Sequence, residues 1–252
     1  MSLRITLLVL LFTITGLAQT IGYEMKAEEY FYNGKDGKKD TILTVQFTYP
    51  VYSGTEEFAE TAALLNNLIR GALFGSDESG QTIFNGLRET AAEMEDSSYF
   101  MGPWFYGVDI IPEFQEGDIS SFLYSQYEYL GGAHPNSVLG GINLNIRTGA
   151  EITEEEVLLP GAKDELNKMG EVIVRRDREI PEGTLLSDYG YWFDEDRFVL
   201  NSNFIITGDG IKYIFNAYEV GPYALGVTEV LFPWSDIVSL IKTDGILNPV
   251  LK

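Results

Sequence analysis

The hydrophobic period of this chain switches repeatedly between two values, and that switching limits the folds open to it. From Thr41 to Tyr49 apolar residues occupy every second position, placing Leu43, Val45, Phe47 and Tyr49 on one face. That is the spacing of a half-buried strand. Phe58, Ala62, Leu65, Ile69 and Leu73 then recur every three or four residues, the spacing of a helix that buries one side. A segment patterned for one period does not hold the other, because its apolar set would be split between core and water.

Continued along the chain, the same reading gives an order of elements. Tyr23 to Tyr32 reads as a strand, joined to the next through the turn Asn33-Gly34-Lys35-Asp36-Gly37, whose Asn-Gly pair suits positive φ. Pro50 is expected to stop the second strand and Thr55 to cap the first helix. A second helix is expected over Thr82 to Met94, with Ile83, Leu87 and Ala91 inward. Strands follow at Trp104 to Phe114 and Ile119 to Leu130, around Glu116-Gly117-Asp118, and at Ile142, Leu144 and Ile146. Thr153 and Glu156 resemble a capping box. Ala162 to Arg178 reads as a helix with Leu166, Met169, Val172 and Ile173 inside. Phe198 to Thr207, Ile211 to Val220 and Val227 to Phe232 read as closing strands, and Pro233 opens a last helix packed through Ile237, Leu240 and Ile241. The expected class is α+β, with antiparallel or mixed sheets, helices packed on one face, and two subdomains in tandem. Their expected extents are 19–100 and 101–252, with the junction around Asp96 to Met101.

The first residues carry a different pattern. Arg4 precedes an apolar run from Ile5 to Ile14, broken only by Thr6 and Thr13, and Gly16-Leu17-Ala18 follows with small residues. This predicts a signal peptide over 1–18, cleaved before Gln19. The run is shorter than the ~20 apolar residues a membrane-spanning helix needs, and the chain contains no cysteine on which a lipoprotein anchor could be built. A periplasmic or secreted protein without a stable membrane anchor is expected. The absence of cysteine also removes disulfides, thiolate catalysis and thiolate metal sites.

Charge narrows the partners. The formal net charge is −21, which disfavours nucleic acid and anionic lipid, since both are bound chiefly through cationic side chains. A cationic partner would be steered toward such a surface. The cluster Lys168, Arg175, Arg176 and Arg178 reads as a solvated helix face.

Catalytic constellations are sparse. His134 is the single histidine, so a nucleophilic triad would have to be built around it, and no Gly-x-Ser-x-Gly elbow is present. One histidine cannot make an ordinary zinc site. No metal and no cofactor is therefore expected. Asp188, Asp194, Glu195 and Asp196 cluster with Tyr189, Tyr191 and Trp192. A sugar cleft with paired carboxylates or a calcium loop would use such residues, although the spacing is not that of an EF-hand, and a solvated acidic loop fits as well. Tyr124-Ser125-Gln126-Tyr127-Glu128-Tyr129 offers rings for sugar stacking or a protein interface, with alternation assigning Tyr127 and Tyr129 to one face and Phe122 and Tyr124 to the other.

Tyr129-Leu130-Gly131-Gly132-Ala133-His134-Pro135-Asn136 resembles the signature of an uncharacterised extracytoplasmic domain family. That family includes the outer domain of lysozyme-responsive anti-sigma factors and accompanies some peptidoglycan deacetylases. Asn145-Ile146-Arg147-Thr148-Gly149, the run Gly221-Pro222-Tyr223-Ala224-Leu225-Gly226 and Val230 to Trp234 are similar to its later motifs, in order. The resemblance spans roughly Trp104 to Leu240, and the N-terminal hairpin and helix resemble a companion domain found upstream. It implies a non-enzymatic recognition module for a cell-envelope protein or glycan, with a lysozyme-like muramidase as the concrete ligand. The contact residues implied are Tyr129, Gly131, Gly132, His134, Pro135, Asn136 and Tyr223. A carboxylate-dependent hydrolase acting on glycans is the alternative. No sigma-binding segment and no deacetylase domain is seen in the sequence, so neither of those activities is carried over.

Overall fold

A computed structural model describes residues 2–4, 11–12, 21–36, 40–75, 79–248 and 250. Most of the leading apolar run, and Gly16-Leu17-Ala18 where cleavage is expected, lie outside the described residues. The described strands are β1 (Ser2–Arg4), β2 (Leu11–Phe12), β3 (Ile21–Tyr32), β4 (Leu43–Gly54), β5 (Trp104–Glu116), β6 (Ile119–Tyr129), β7 (Asn136–Asn145), β8 (Ala150–Glu151), β9 (Phe204–Ile206), β10 (Gly210–Phe215) and β11 (Thr228–Pro233). The helices are α1 (Ala59–Phe74), α2 (Gly80–Met94), α3 (Glu154–Val157), α4 (Ala162–Asp177) and α5 (Trp234–Ile237). Hydrogen bonding orders the strands β1-β3-β4-β5-β6-β7-β8, with β2 also on β3, and separately β11-β10-β9. The fold is α+β with mixed and antiparallel sheets, as the alternating periods imply.

The chain forms two compact units and visits them in turn. One comprises 1–111, 124–137 and 146–150; the other comprises 112–123, 138–145 and 151–252. The Asp96 to Met101 segment, where a junction is expected, is a turn and coil within the first unit.

In the first unit β3 and β4 pair antiparallel from Ile21↔Gly54 to Tyr32↔Leu43. Pro50 does not end β4, which continues past it to Gly54, with Pro50 opposite Met25. The reason is positional. The parallel ladder from β4 to β5 stops at Thr48, so Pro50 lies where one edge of the strand is open and its missing N–H costs no ladder bond. Asn66 of α1 closes that edge: its Oδ1 accepts from the Tyr52 N–H at 2.7 Å and its Nδ2 donates to the Tyr52 carbonyl at 2.9 Å.

Helix α1 buries Ala62, Leu65, Ile69 and Leu73, the face its spacing marks. Thr55 does not cap it; a 3₁₀ turn, Glu56–Phe58, intervenes. Ser79 caps α2 instead, accepting from the Thr82 N–H. Phe84 is the largest buried side chain of α2 and stacks on Tyr30 at 5.3 Å; Ala91 is buried as its spacing marks, while Ile83 and Leu87 are half-buried. Phe47 sits at the centre, edge-on to Phe74 at 5.1 Å and Tyr106 at 6.2 Å.

The second unit is built on α4 and the three-stranded sheet. Ala162, Leu166, Gly170 and Val174 of α4 are buried, whereas Val172 is 67% exposed. At 3.6 residues per turn the Leu166 and Gly170 face excludes position 172. The closing strands are shorter than their apolar runs. Asn203 Nδ2 donates to the Leu139 and Ile214 carbonyls, and Asn143 Nδ2 donates to that of Phe204. Side-chain amides thus take over where a ladder would have continued. A Cβ on Gly141 would lie 1.9 Å from the Phe204 carbonyl oxygen, so only glycine permits this approach.

Candidate functional site

The signature residues form one connection in the first unit. Tyr129 is the last residue of β6 and Asn136 the first of β7. Between them Gly131 and Gly132 have φ of +88° and +113°, angles that residues with a Cβ rarely adopt. A Cβ on Gly131 would also approach the Met101 carbonyl oxygen to 3.2 Å and Trp104 Nε1 to 3.5 Å. The loop therefore rests on the segment that opens β5, where the Trp104 indole N–H donates to the Met101 carbonyl at 3.1 Å.

Three further bonds fix its shape. The Tyr129 hydroxyl donates to the Gly132 carbonyl at 3.2 Å, and Asn136 Nδ2 to Glu128 Oε1 at 3.4 Å. His134 Nδ1 lies 2.8 Å from the Pro135 carbonyl oxygen. That contact needs the proton on Nδ1, which leaves Nε2 of the neutral ring as an acceptor. His134 and Asn136 are exposed and Pro135 is half-buried. Six of the seven expected contact residues are thus gathered by one ordered loop. Tyr223 belongs to the second unit, in a 3₁₀ turn with its ring 5.7 Å from that of Tyr218.

The sequence reading missed what lies beside the loop. Gly102 and Pro103 follow Met101 and line a cavity of about 540 Å³ with Asp40, Thr41, Ile42, Glu95 and Phe100. Tyr99 is 84% exposed and Met101 52%, and Phe100 packs at 5.5 Å on Trp104. Glu95 accepts from the Tyr32 hydroxyl at 2.9 Å and the Lys35 backbone N–H at 3.2 Å. Burial and the bond to Glu95 push the Tyr32 hydroxyl up to about 12. Loop and cavity together present aromatic and acidic surface. The dense aromatic run from Tyr99 to Tyr106, punctuated by Gly-Pro, was the available signal.

In the acidic segment of the second unit, Asp196 is bound to backbone and Glu195 to a neighbouring side chain. Asp196 accepts from the Leu186 N–H at 2.9 Å and the Ser187 N–H at 2.8 Å. Desolvation pulls its carboxyl up, but these backbone donors prevail and hold it below the usual carboxylate range. Glu195 pairs with Arg197 at 2.6 Å. A glycosidase acid needs a raised pKa, the opposite of what Asp196 shows. Among the described residues no three His, Asp or Glu side chains gather as a metal centre would require.

Two family models match parts of the chain. Residues 155–235 match a protein family of unknown function, DUF3298, and residues 37–137 match a family described as deacetylase PdaC. The signature loop falls within the second match and Tyr223 within the first. No curated protein matches the chain. Among solved structures, a DUF3298 family member from Bacteroides fragilis is 20% identical, with 92% of this chain and 99% of that one covered at a TM-score of 0.72. A DUF3298 family protein from Pseudomonas aeruginosa is 16% identical, covering 90% and 97%, at a TM-score of 0.61. At these identities the likeness is one of fold. The two matches agree with an uncharacterised family beside a deacetylase-described domain, but their bounds differ from the expected Trp104 to Leu240 span, and the signature loop lies outside the DUF3298 match.

Proposed function

We propose that this is an exported, non-enzymatic recognition module whose signature loop docks a basic cell-envelope protein, of which a lysozyme-like muramidase is the leading example. The observation that carries the reading is the loop itself. Gly131 and Gly132 hold it in a conformation closed to other residues, side-chain bonds fasten both ends, Gly131 packs on the Met101 segment, and His134 is exposed. A loop ordered before binding loses little entropy on binding. Exposed tyrosine and methionine supply apolar contact area. The net charge of −21 steers a cationic partner toward the chain.

The test is a biosensor titration against a panel of muramidases at low and at physiological salt. Binding that persists at a Debye length of ~8 Å and weakens at least tenfold in His134→Ala supports a specific interface. A signal that disappears with salt is charge attraction alone and sinks the proposal, as does the absence of any complex.

A further inference from the structure

The segment that reads in the sequence as a sugar cleft keeps half of that character. Asp196 is engaged with backbone and Glu195 with Arg197, and the rings are not all buried: Tyr191 is 2% exposed, whereas Tyr189 is 41% and Trp192 51% exposed. The Trp192 backbone N–H donates to the Val220 carbonyl at 3.1 Å, and its indole N–H donates to the Glu219 carbonyl at 3.1 Å. The indole bond places Trp192 against the backbone of the residue that follows Tyr218, itself 54% exposed. A Cβ on Gly221 would lie 3.0 Å from the Gly190 carbonyl oxygen, so glycine permits this close approach of the two segments.

Tyr218 has a φ of +68°, a conformation that a bulky residue keeps only where its surroundings impose it. The next residue does so. Glu219 Oε1 accepts from Asn201 Nδ2 at 2.6 Å, and its Oε2 accepts from the Asn216 N–H at 2.8 Å. The Tyr218 ring is backed by that of Tyr223 at 5.7 Å. Tyr218 is thus an exposed ring on a left-handed backbone, and Trp192, another exposed ring, is tied by its indole N–H to the carbonyl of the next residue.

We propose that Trp192 and Tyr218, with Tyr223 behind, form a glycan-binding platform for a neutral hexopyranose chain. Aromatic faces carry negative quadrupole density and attract the C–H faces of a sugar ring. The charge of −21 repels polyanionic polymers, which leaves uncharged glycans. This site is separate from the signature loop and does not depend on the reading given to that loop.

Cellohexaose and chitohexaose are the probes, titrated into the full protein while tryptophan fluorescence and heat are followed. Saturable binding insensitive to salt is expected, weakened at least tenfold in Trp192→Ala and in Tyr218→Gly. Glycine suits the positive φ, so Tyr218→Gly should melt no lower than the parent, which separates loss of the ring from loss of the fold. His134→Ala should leave sugar binding unchanged. No saturable binding of either sugar overturns the proposal, and so does binding that neither platform variant weakens. A muramidase complex weakened by Trp192→Ala, with neither sugar bound, overturns it as well and assigns the patch to a protein partner.

Discussion

Each unit holds one largely buried carboxylate under a lysine and tyrosine hydroxyls, and the two are assembled differently. In the first, Glu28 accepts from Lys26 Nζ, the Tyr30 hydroxyl and the Tyr49 hydroxyl, each at 2.6 Å. All four residues belong to a single hairpin, and Lys26 faces Tyr49 in its register. In the second, Glu154 at the start of α3 accepts from Lys163 Nζ of α4 at 2.9 and 2.7 Å and from the Tyr213 hydroxyl of β10 at 2.6 Å. Lys163 also donates to the Asn201 carbonyl at 2.8 Å and lies 5.8 Å from the centre of the Tyr213 ring. Glu28 is thus closed within one hairpin, whereas Glu154 ties three separate elements, one of which, β10, is remote in sequence. A carboxylate held by one hairpin reports on that hairpin; one held by three elements reports on the packing of its whole unit.

The largest expected effect follows from this. Glu154→Ala should cost about 3 kcal/mol, the upper end for leaving a buried polar group without its partner, because it strands the hydroxyl of Tyr213, which is 0% exposed. Glu28→Ala should cost less, about 2 kcal/mol, since Tyr30 and Tyr49 are 8% and 7% exposed and retain some access to water. Urea midpoints at constant slope measure both. The comparison breaks if Glu28→Ala proves the costlier substitution.

The second prediction concerns pH. Burial pushes the Glu28 carboxyl up, but hydrogen bonds from Lys26, Tyr30 and Tyr49 outweigh it and hold the group below its ordinary range. Between the folded and unfolded pKa the unfolded chain binds more protons, so stability rises with pH there. This contribution is fully present above about 4.3 and is lost as pH falls through the folded value. Melting temperatures of the parent and Glu28→Gln should therefore converge as pH drops below about 4. Curves that stay parallel would remove the ionised carboxylate from the account.

The smallest effects separate the signature loop from both knots. Gly131→Ala should destabilise by about 1 kcal/mol or somewhat more, because of its positive φ and the Met101 carbonyl at 3.2 Å. His134→Ala, at an exposed position, should change stability by less than about 0.5 kcal/mol. Thermal unfolding decides it. A large loss in His134→Ala would make the histidine a structural part of the turn.

Much of the architecture was legible because it is local. The face of α1, the β3–β4 hairpin, the turn at Gly117, and the packed Ile237 and Ile241 all follow from period and turn chemistry. Errors arose where a distant partner intervened. Pro50 continues a strand because β5 leaves that edge open, and Phe84 is buried because Tyr30 stacks on it. The apolar runs around β9 and β10 end early because asparagine amides of neighbouring segments take over their backbone groups. Of the site, the glycines and histidine of the loop were visible as a motif, while the Tyr99 to Pro103 surface beside it was not.

Sequence alone determined the α+β class, the order of the main strands and helices, and the acidity of the chain. Side-chain period and net charge depend on nothing beyond the chain itself. Tertiary structure decided which polar groups are committed to folding and which rings remain at the surface. The carboxylates of the 188–196 segment and its neighbouring aromatics look alike as a string of letters. Backbone N–H groups at Leu186 and Ser187 and the carbonyl of Glu219 assign them opposite fates, because a hydrogen bond is settled by proximity in space.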